Sequence, residues 1–519
     1  MSRLEKLTLP GLLAAWLLSS CAGRADRGTP AVEAPSGVAD LRVPEPPRPL
    51  EAPPVASVRR LGTCDEIDGV SRFTLAHIND FQARYSDRIV GKSRYGYVAG
   101  YLRGLKTKTP ETLILDAGDD YEKGSIAELR SMGESTRLMI QALPIDVRTI
   151  GNHDFAYGAA TVLRDVRLSA HPVLAANVSV DGERSPFAPY ARLDVGCVRV
   201  GIVGLVTGNY GADDMPSTDA FDGVFVHDAH YASILQAQVL AHRAEVDVMI
   251  ALDHLGLWED VALVGKVSGV DLVVGGHSED TVKQPYWVSR KDGSHAWVLQ
   301  AGHFAESVGR ADFAFHRKEK SLSLASYAIV KVDGSLPYAE DVGDLAATLE
   351  DEHAPDAHYP LAVLRGDVPQ GKGMTDLLWR AVSESWGIDA LIVGKDLFWD
   401  KLHAGPVTLQ ALYDATLVQR EPAGTSGFSS LHVISLTGAE LTAAREKLRI
   451  GPVYAFYGPV AIAPERTYRV AIEKRALTYP KLAFYPGVRD FPKSRFLGEM
   501  IDALEPYARS RTARGLSLD

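Results

Sequence analysis

Short apolar runs alternate with segments of helical period along the first two thirds of the chain, and each apolar run stops at a polar cluster. Runs bounded in this way predict buried strands, here over residues 73–78, 112–115, 147–150, 198–206, 246–252 and 270–274. Helical period predicts helices over residues 97–105, 126–143 and 227–244, with Ser125 as an N-cap and a break at Gly133. This alternation is typical of α/β folds, in which ligands gather outside the carboxyl ends of the strands. We therefore expect the polar clusters to form one site.

A second α/β region follows the first. Strands predicted over residues 307–315 and 322–332 close the first region, and an amphipathic helix is predicted over residues 338–352. Beyond residue 360 the pattern predicts a helix, a strand and a helix, over residues 374–386, 390–393 and 408–416. These elements predict three segments, which are a first domain over residues 66–335, a linker helix within 336–359 and a second domain over 360–519.

The N-terminal segment is predicted to be a lipoprotein signal peptide over residues 1–21. A basic start precedes an apolar run over residues 7–18, which is too short to span a bilayer. The run ends at Leu18-Ser19-Ser20-Cys21, which resembles a bacterial lipobox and predicts lipidation of Cys21; a plain signal peptide cleaved at small residues is the alternative. Residues 22–65 are rich in proline and predict an extended linker. We therefore expect a protein of the cell envelope, anchored to the membrane by a lipid on the periplasmic or extracellular face.

Charge and cysteine content narrow the function classes. The 519 residues carry a formal net charge of −11, so the basic footprint of a nucleic-acid-binding protein is absent and we expect no nucleic-acid partner. An anionic substrate would have to be attracted by local positive charge, which bound metal ions can supply. Besides Cys21 the chain has only Cys64 and Cys197, which either form a disulfide in an oxidising compartment or stay unpaired. We expect a monomer.

The polar clusters at five strand ends contain the ligand types that divalent ions prefer. Carboxylate, amide oxygen and imidazole groups suit hard and borderline ions. Taken singly, an aspartate after a strand is often a helix cap, and a lone histidine is often a core or surface residue. Taken together, the set predicts a metal site, whose members are Asp80, Asp119, Asn152, His254 and His277.

The order of these clusters resembles that of the calcineurin-like metallophosphoesterases, and within them the bacterial 5′-nucleotidase and UDP-sugar hydrolase family. The resemblance implies an α/β fold, a four-layer α-β-β-α sandwich with a second, smaller α/β domain at the C-terminus. It also implies two divalent metal ions. It rests on the motifs Asp80-x-Gln82, Gly118-Asp119, Gly151-Asn152-His153-Asp154, His254-Leu255-Gly256 and Gly276-His277-Ser278-Glu279.

The resemblance divides the metal ligands into two sets that share Asp119. The family usually has histidine at position 82 and often histidine, sometimes glutamine, at position 279, so one set here contains oxygen ligands only. This difference favours manganese, magnesium, calcium or iron over zinc for the corresponding ion. With two ions, one would be held by Asp119, Asn152, His254 and His277, and the other by Asp80, Gln82, Asp119 and Glu279. The alternative is that the oxygen-only set is degenerate and that a single ion binds.

His153 is the candidate catalytic residue, because the resemblance implies that it stabilises developing charge or protonates the leaving group. Family members commonly pair this histidine with an aspartate three residues later, where this chain has Ala156. Asp154 is adjacent and is a further catalytic candidate, but Glu122 is a better partner for His153, because the segment around Glu122 resembles the phosphate-site motif of metal-dependent protein phosphatases. We therefore expect Glu122 to orient His153 and Lys123 to contact the substrate anion. The alternative is that both are exposed loop charges.

The second domain lacks the nucleoside-pocket signature of the family, an Asn-x-Gly-Gly-x-Arg stretch. At the matching place the chain has Lys395, a candidate for phosphate contact, and Phe398, a candidate for base stacking; packing or surface roles are the alternative. Lys123 and Asn152 are the other two candidates for substrate binding. The expected function is binuclear metal-dependent hydrolysis of a small anionic phosphoester, either a 5′-nucleotidase-like phosphomonoester or a nucleotide diphosphate derivative. The alternatives are hydrolysis of a non-nucleotide phospho- or sulfur-linked anion, and an exported binding or structural lipoprotein with a degenerate site.

Overall fold

The computed structural model describes residues 59–182, 184–208, 223–395, 397–398, 400–416, 430–448, 454–473 and 494–519. Cys21, the apolar run before it and residues 22–58 of the expected linker lie outside these ranges. The first described strand, β1 (Arg59–Leu61), falls within the segment expected to be linker. Within the described ranges, no helix has the length and hydropathy that a membrane span requires.

A six-stranded sheet carries three of the polar clusters. In spatial order its strands are β17 (Ser321–Lys331), β16 (Ser307–His316), β2 (Val70–Ile78), β5 (Thr112–Asp116), β6 (Val147–Thr149) and β7 (Val173–Leu174). β2, β5, β6 and β7 run parallel, whereas β16 is antiparallel to both β2 and β17. The carboxyl ends of β2, β5 and β6 therefore lie side by side, which places Asp80, Asp119 and Asn152 at one edge of the sheet.

A seven-stranded sheet carries the two histidine clusters. In spatial order its strands are β1, β9 (Tyr190–Val195), β10 (Val198–Val206), β12 (Val248–His254), β13 (Leu272–Val274), β15 (His295–Leu299) and β14 (Tyr286–Ser289). β10, β12, β13 and β15 run parallel. His254 is the last residue of β12 and His277 follows β13, so both histidines lie at the carboxyl ends of this sheet.

The two sheets pack face to face. Leu75 and Leu115 of the first sheet share one buried core with Val200, Ile250 and Leu272 of the second. Two further cores join the outer faces of the sheets to helices, which confirms the predicted four-layer sandwich. The six-stranded sheet is covered by α1 (Arg94–Lys108), α2 (Ile126–Ser131), α3 (Glu134–Ala142) and α7 (Glu340–His353), and the seven-stranded sheet by α5 (Tyr231–His242) and α6 (Leu257–Lys266), while α4 (Ala159–Leu168) packs beside β7.

The helix predicted over residues 126–143 is divided in two, as the glycine within it predicted. The hydroxyl of Ser125 accepts a hydrogen bond from the backbone amide of Ala127 at 3.2 Å and caps α2. Gly133 separates α2 from α3 with φ of 84°, a left-handed value that glycine adopts without steric cost. This break sets the direction of α2 independently of α3, directly after the loop that carries Glu122 and Lys123.

A second, smaller α/β domain is present at the C-terminus, as predicted. Its five-stranded sheet has the spatial order β22 (Tyr454–Tyr457), β19 (Ala390–Gly394), β23 (Thr467–Glu473), β21 (Ser430–Thr437) and β24 (Arg495–Glu499). Its described helices are α8 (Lys372–Trp386), α9 (Leu409–Thr416), α10 (Gly438–Leu448) and α11 (Met500–Ala513). Short strand pairs elsewhere are β3 (Arg88–Ile89) with β4 (Lys92–Ser93), β8 (Val178–Val180) with β11 (Val224–Val226), and β18 (Pro360–Leu364) with β20 (Gly405–Thr408).

The two domains share a continuous buried core that runs from α1 and α7 to α8, α9 and α11. Gln410 on α9 crosses the boundary, because its Nε2 donates to the carbonyl of Gly124 at 3.1 Å and its Oε1 accepts from the amide of Ile126 at 3.2 Å. Arg84 pairs with Asp414 of the same helix at 3.2 Å. Helix α9 of the second domain therefore holds loops of the first domain that follow β2 and β5.

A disulfide joins Cys64 to Cys197, which is one of the two alternatives that the sequence left open. It connects the segment after β1 to the turn between β9 and β10, across a sequence separation of 133 residues. Closing a loop of that length in the unfolded chain stabilises the fold by about 5 kcal/mol on a loop-entropy estimate.

Candidate metal centre and active site

Three side chains from three strand ends approach one another closely. Ligand atoms of Asp119, His254 and His277 all lie within 4.8 Å of one another. Asp119 comes from the six-stranded sheet and the two histidines from the seven-stranded sheet, so the cluster lies where the carboxyl ends of both sheets meet. We call these three side chains, together with Asn152, the nitrogen half of the site.

Hydrogen bonds fix the imidazole rings of the nitrogen half. Nδ1 of His254 lies 2.7 Å from the carbonyl oxygen of Ala117, which can only accept, so Nδ1 carries a proton and Nε2 takes either a second proton or a metal ion. That Nε2 is buried, lies 3.0 Å from Oδ2 of Asp119 and has no hydrogen-bond partner among the described residues. Nδ1 of His277 lies 2.8 Å from Oδ1 of Asn152. An unpartnered buried nitrogen facing a carboxylate fits a divalent ion.

The charges of this cluster favour a bound cation. Burial opposes protonation of His254, yet the carboxylates of Asp119 and Asp80 raise its pKa to about 10. Burial, and then the charge on His254, lower the pKa of His277 to about 4. Burial raises the pKa of Asp80 well above its usual range, and Asp119 and Glu279 add to the rise. Positive charge is thus favoured at Nε2 of His254, where a divalent ion would take the place of the proton.

The other predicted ligands, Asp80, Gln82 and Glu279, form what we call the oxygen half. Nε2 of Gln82 donates to Oε1 of Glu279 at 2.9 Å, while Oε1 of Gln82 is buried without a hydrogen-bond partner among the described residues. Oδ2 of Asp80 accepts from the backbone amide of His277 at 3.0 Å and from Nδ2 of Asn79 at 2.6 Å. The structure therefore brings all seven predicted ligands to one place, in two groups around Asp119.

The backbone at the site is strained. Non-glycine residues rarely adopt positive φ, and such residues cluster at functional sites. Glu122 and Lys123 both have positive φ, of 72° and 67°. Five of the seven predicted ligands share this feature, namely Asp80, Gln82, Asp119, His277 and Glu279, with φ of 53°, 46°, 59°, 77° and 59°.

Glu122 holds His153, which is the contact that the sequence predicted. Nδ1 of His153 makes a short hydrogen bond to Oε2 of Glu122; since a carboxylate accepts, Nδ1 donates. The backbone amide of His153 donates to Oδ1 of Asp119 at 2.8 Å. Burial, and then the ammonium of Lys123, lower the pKa of His153 well below its ordinary value. Both Glu122 and Lys123 are buried, which rules out the alternative of exposed loop charges.

Asp154 lies in the scaffold of the site instead of beside a reacting group. Its Oδ2 accepts from the backbone amides of Asp119 and Gly151, at 3.0 and 2.9 Å, and its Oδ1 accepts from Arg148 at 2.8 Å. Burial raises the pKa of Asp154 to about 7, against the opposing charge of Arg148. This placement corrects the prediction that Asp154 is catalytic, because the contacts of its carboxylate position the loop that carries Asp119.

The substrate-binding predictions have mixed outcomes. Lys123 lies inside the site, with Nζ 3.5 Å from Oε1 of Glu279. Phe398 is fully buried in the core shared by the two domains, so it has no free face for a ligand, and the prediction that it stacks on a substrate is wrong. Lys395 follows β19 and is exposed. Asn152 contacts His277 in the nitrogen half.

Two residues that support the site, Arg148 and Gln410, were not predicted from the sequence. Arg148, in the middle of β6, also pairs with Asp120 at 2.6 Å and Asp116 at 3.4 Å, and all of these groups are buried. An arginine inside an otherwise apolar run was a signal of a buried charge cluster. Gln410 has no such signal, because its role depends on the packing of the second domain against the loop of Gly124.

Comparison with known proteins agrees with this geometry. Residues 73–278 match the family described as calcineurin-like phosphoesterase, and that range spans every predicted metal ligand except Glu279. A snake venom 5′-nucleotidase of Crotalus adamanteus is 30% identical over 306 residues, which cover 52% of this chain and 51% of that protein. The chain thus spans about half the length of the curated relatives it matches.

Solved structures show the same fold over most of the chain. A 5′-nucleotidase precursor from Thermus thermophilus superposes with a TM-score of 0.66 at 20% identity, over 85% of this chain and 96% of that one. A sulfate thiohydrolase of Thermus thermophilus gives a TM-score of 0.60 at 18% identity, over 84% and 94% of the respective chains. These similarities show a calcineurin-like phosphoesterase domain over residues 73–278, in a chain that is similar in sequence and in fold to 5′-nucleotidases.

Proposed function

We propose that the protein is a metal-dependent hydrolase of small anionic phosphoesters, with two divalent ions held by the nitrogen and oxygen halves. The observation that carries this proposal is the convergence of Asp119, His254 and His277 next to the buried His153–Glu122 pair. When bound, divalent ions supply Lewis-acid activation of the phosphoryl group and of the attacking water. The family resemblance assigns Asp119 to both ligand sets, so it is the residue on which both ions would depend.

The chain's own residues would handle the proton and the substrate anion. Glu122 accepts from Nδ1 of His153 and so orients the ring, and when Nε2 also carries a proton His153 would donate that proton to the leaving oxygen or stabilise its charge. Lys123 and Asn152 lie beside the same ligands and would contact phosphoryl oxygens. Asp154 and Arg148 keep the loop of Asp119 in place. These residues would contact the phosphoryl group and the leaving oxygen only. They therefore do not select for a nucleoside as the leaving group.

The relatives' printed names support 5′-nucleotides as the first substrates to test, although the nucleoside-pocket signature is missing from the second domain. A sulfur-linked anion is a second candidate, which only the fold shared with a sulfate thiohydrolase favours. The predicted localisation, in the cell envelope through a lipid on Cys21, concerns residues outside the described ranges and stays part of the proposal, as does the monomeric state.

A substrate panel tests the proposal. The purified protein is freed of metal, reconstituted separately with Mn²⁺, Mg²⁺, Zn²⁺, Fe²⁺ or Ca²⁺, and assayed with p-nitrophenyl phosphate, its bis-ester, nucleoside 5′-monophosphates and a UDP-sugar. We expect hydrolysis of at least one phosphoester with at least one ion, and none by a matched Asp119→Asn preparation. If no phosphoester is hydrolysed under any condition, a binding protein with a degenerate site becomes the better account.

A further inference from the structure

The carboxylate of Glu279 is surrounded by donors from three different loops. Nε2 of Gln82 lies 2.9 Å from Oε1, and Nζ of Lys123 lies 3.5 Å from the same oxygen. Nδ1 of His303 lies 3.5 Å from Oε2. These contacts use the Glu279 oxygens that a metal ion in the oxygen half would require.

Lys123 brings a full positive charge into the oxygen half. Its side chain is only 4% exposed, and a buried ammonium requires a compensating anion close by. The backbone of Lys123 is held in the left-handed region, with φ of 67°, so the loop directs this side chain inward at a conformational cost. The two halves therefore differ, because Nε2 of His254 faces the carboxylate of Asp119 while Glu279 has an internal cation beside it.

We propose that Lys123 is an internal cation of the oxygen half and competes with the second divalent ion for Glu279. In this account the nitrogen half binds one ion tightly, and a second ion binds only when it displaces the ammonium from Glu279. The contacts support this order, since the ammonium of Lys123 already lies beside Glu279, whereas Asp119 faces Nε2 of His254, which a divalent ion can take as a ligand. The inference rests on the metal site of the proposed function but not on its substrate.

The competition has a consequence for the substrate. An ammonium displaced from Glu279 stays tethered within the site and keeps its charge, so it becomes available to an incoming anion. Binding of the second ion and binding of an anionic substrate would then support each other, because both draw Lys123 away from Glu279.

Metal binding to the full-length metal-depleted protein tests the proposal without any turnover. Mn²⁺ is titrated and followed by calorimetry, and bound metal is counted after dialysis at low and high Mn²⁺. We expect one tight and one weak site in the wild-type protein. In Lys123→Met the second site should tighten by roughly tenfold or more, since a repelling charge and a competitor for Glu279 are both removed, while the first site is unchanged.

Two further variants complete the test. Lys372→Met removes an exposed lysine that pairs with Asp376 in the second domain, and it should leave both sites unchanged. Glu279→Gln should remove the second site and retain the first. The proposal is overturned if Lys123→Met leaves the second site unchanged or weaker, or if the wild-type protein binds two ions equally tightly. If Lys123→Met does not fold, retention of two tight sites in Glu279→Gln overturns the proposal by itself. Absence of phosphoester hydrolysis would contradict the proposed function. It would not affect the inference about Lys123, which the metal-binding measurements decide.

Discussion

The nitrogen half and the oxygen half of the site are built on different foundations. His254 ends a central strand and its ring is fixed by the carbonyl of Ala117, so its position follows from the sheet. Gln82 and Glu279 lie in loops beyond the strand ends, and their side chains hydrogen-bond to each other. Asp414 of helix α9 pairs with Arg84, two residues after Gln82, and the ammonium of Lys123 lies 3.5 Å from Glu279.

This difference indicates which half is preorganised and which is adjustable. A ligand fixed by a strand end and a backbone carbonyl needs no rearrangement to bind an ion. A ligand that already has an amide and an ammonium beside it must exchange those partners first. We therefore expect changes in the nitrogen half to have the largest effects, and changes in the oxygen half to alter metal preference and affinity more than basic function.

Replacing His254 should have the largest effect. Because changes to groups that merely support metal ligands cost about 10–100-fold, loss of the ligand in His254→Ala should lower metal affinity and kcat/KM by more than about 100-fold. Bound metal after dialysis and turnover of the best panel substrate provide the measurement. His316→Ala, which removes a histidine that contacts Ser323 on the neighbouring strand, is the matched control. Retention of metal by His254→Ala would show that the nitrogen half is not the tight site.

Glu122→Gln should have the next largest effect. A general acid contributes about 10²–10⁴-fold, and a neutral partner should remove part of this contribution, so we expect kcat to fall by about 10–100-fold. The carboxylate stabilises the protonated imidazole, so its loss lowers the pKa of His153 further. The alkaline limb of the pH profile should therefore move to lower pH. Glu340→Gln, at an exposed pair with Lys92, is the control; an unchanged profile and kcat in Glu122→Gln would count against the pairing.

Gln410→Ala should have a moderate effect on stability. The size of this effect measures how strongly the second domain holds the loop of Gly124. Truncation leaves the carbonyl of Gly124 and the amide of Ile126 without their side-chain partner, at a cost of about 1–3 kcal/mol in the free energy of unfolding. Denaturant midpoints and kcat are the measurements, with Gln236→Ala, which truncates a half-buried glutamine bonded to Ser268, as the control. Equal stability of the two variants would show that α9 does not hold this loop.

Gln82→His should have the smallest effect, a severalfold shift in metal preference. An imidazole replaces an amide whose oxygen is buried and has no hydrogen-bond partner among the described residues, so the oxygen half gains a nitrogen ligand. Borderline ions such as zinc prefer nitrogen more than manganese or magnesium do. Competitive titration with Zn²⁺ and Mn²⁺ should show the second site moving toward zinc. No change in relative affinity would indicate that residue 82 does not contact an ion.

The sequence predicted the parts of the site that local patterns determine. Apolar runs located the strands, and the polar residues after them identified Asp80, Asp119 and His254. The resemblance of the motifs added Glu122 as the partner of His153, and the structure shows that contact. The strand-end predictions need only the rule that parallel strands present their carboxyl ends at one edge, whereas the pairing of Glu122 with His153 rests on the resemblance.

The remaining features depend on long-range packing, which a single sequence does not reveal. Phe398 was predicted to stack on a substrate, but it packs in a core that exists only because the two domains meet. The hydrogen bonds of Gln410 to Gly124 and Ile126 likewise form only because the two domains pack together. Asp154 is one residue from His153, yet its carboxylate points to backbone amides and Arg148, a direction that the sequence order does not determine.

The central claim is that phosphoester hydrolysis depends on metal bound at Asp119. The most direct measurement is the rate of p-nitrophenyl phosphate hydrolysis as Mn²⁺ is added back to metal-depleted wild-type protein and to Asp119→Asn, with bound metal counted at each step. The account predicts no hydrolysis without metal, a rate in the wild-type protein that rises with occupancy, and no rise in Asp119→Asn. A rate that is independent of bound metal, or equal in the two proteins, would contradict it.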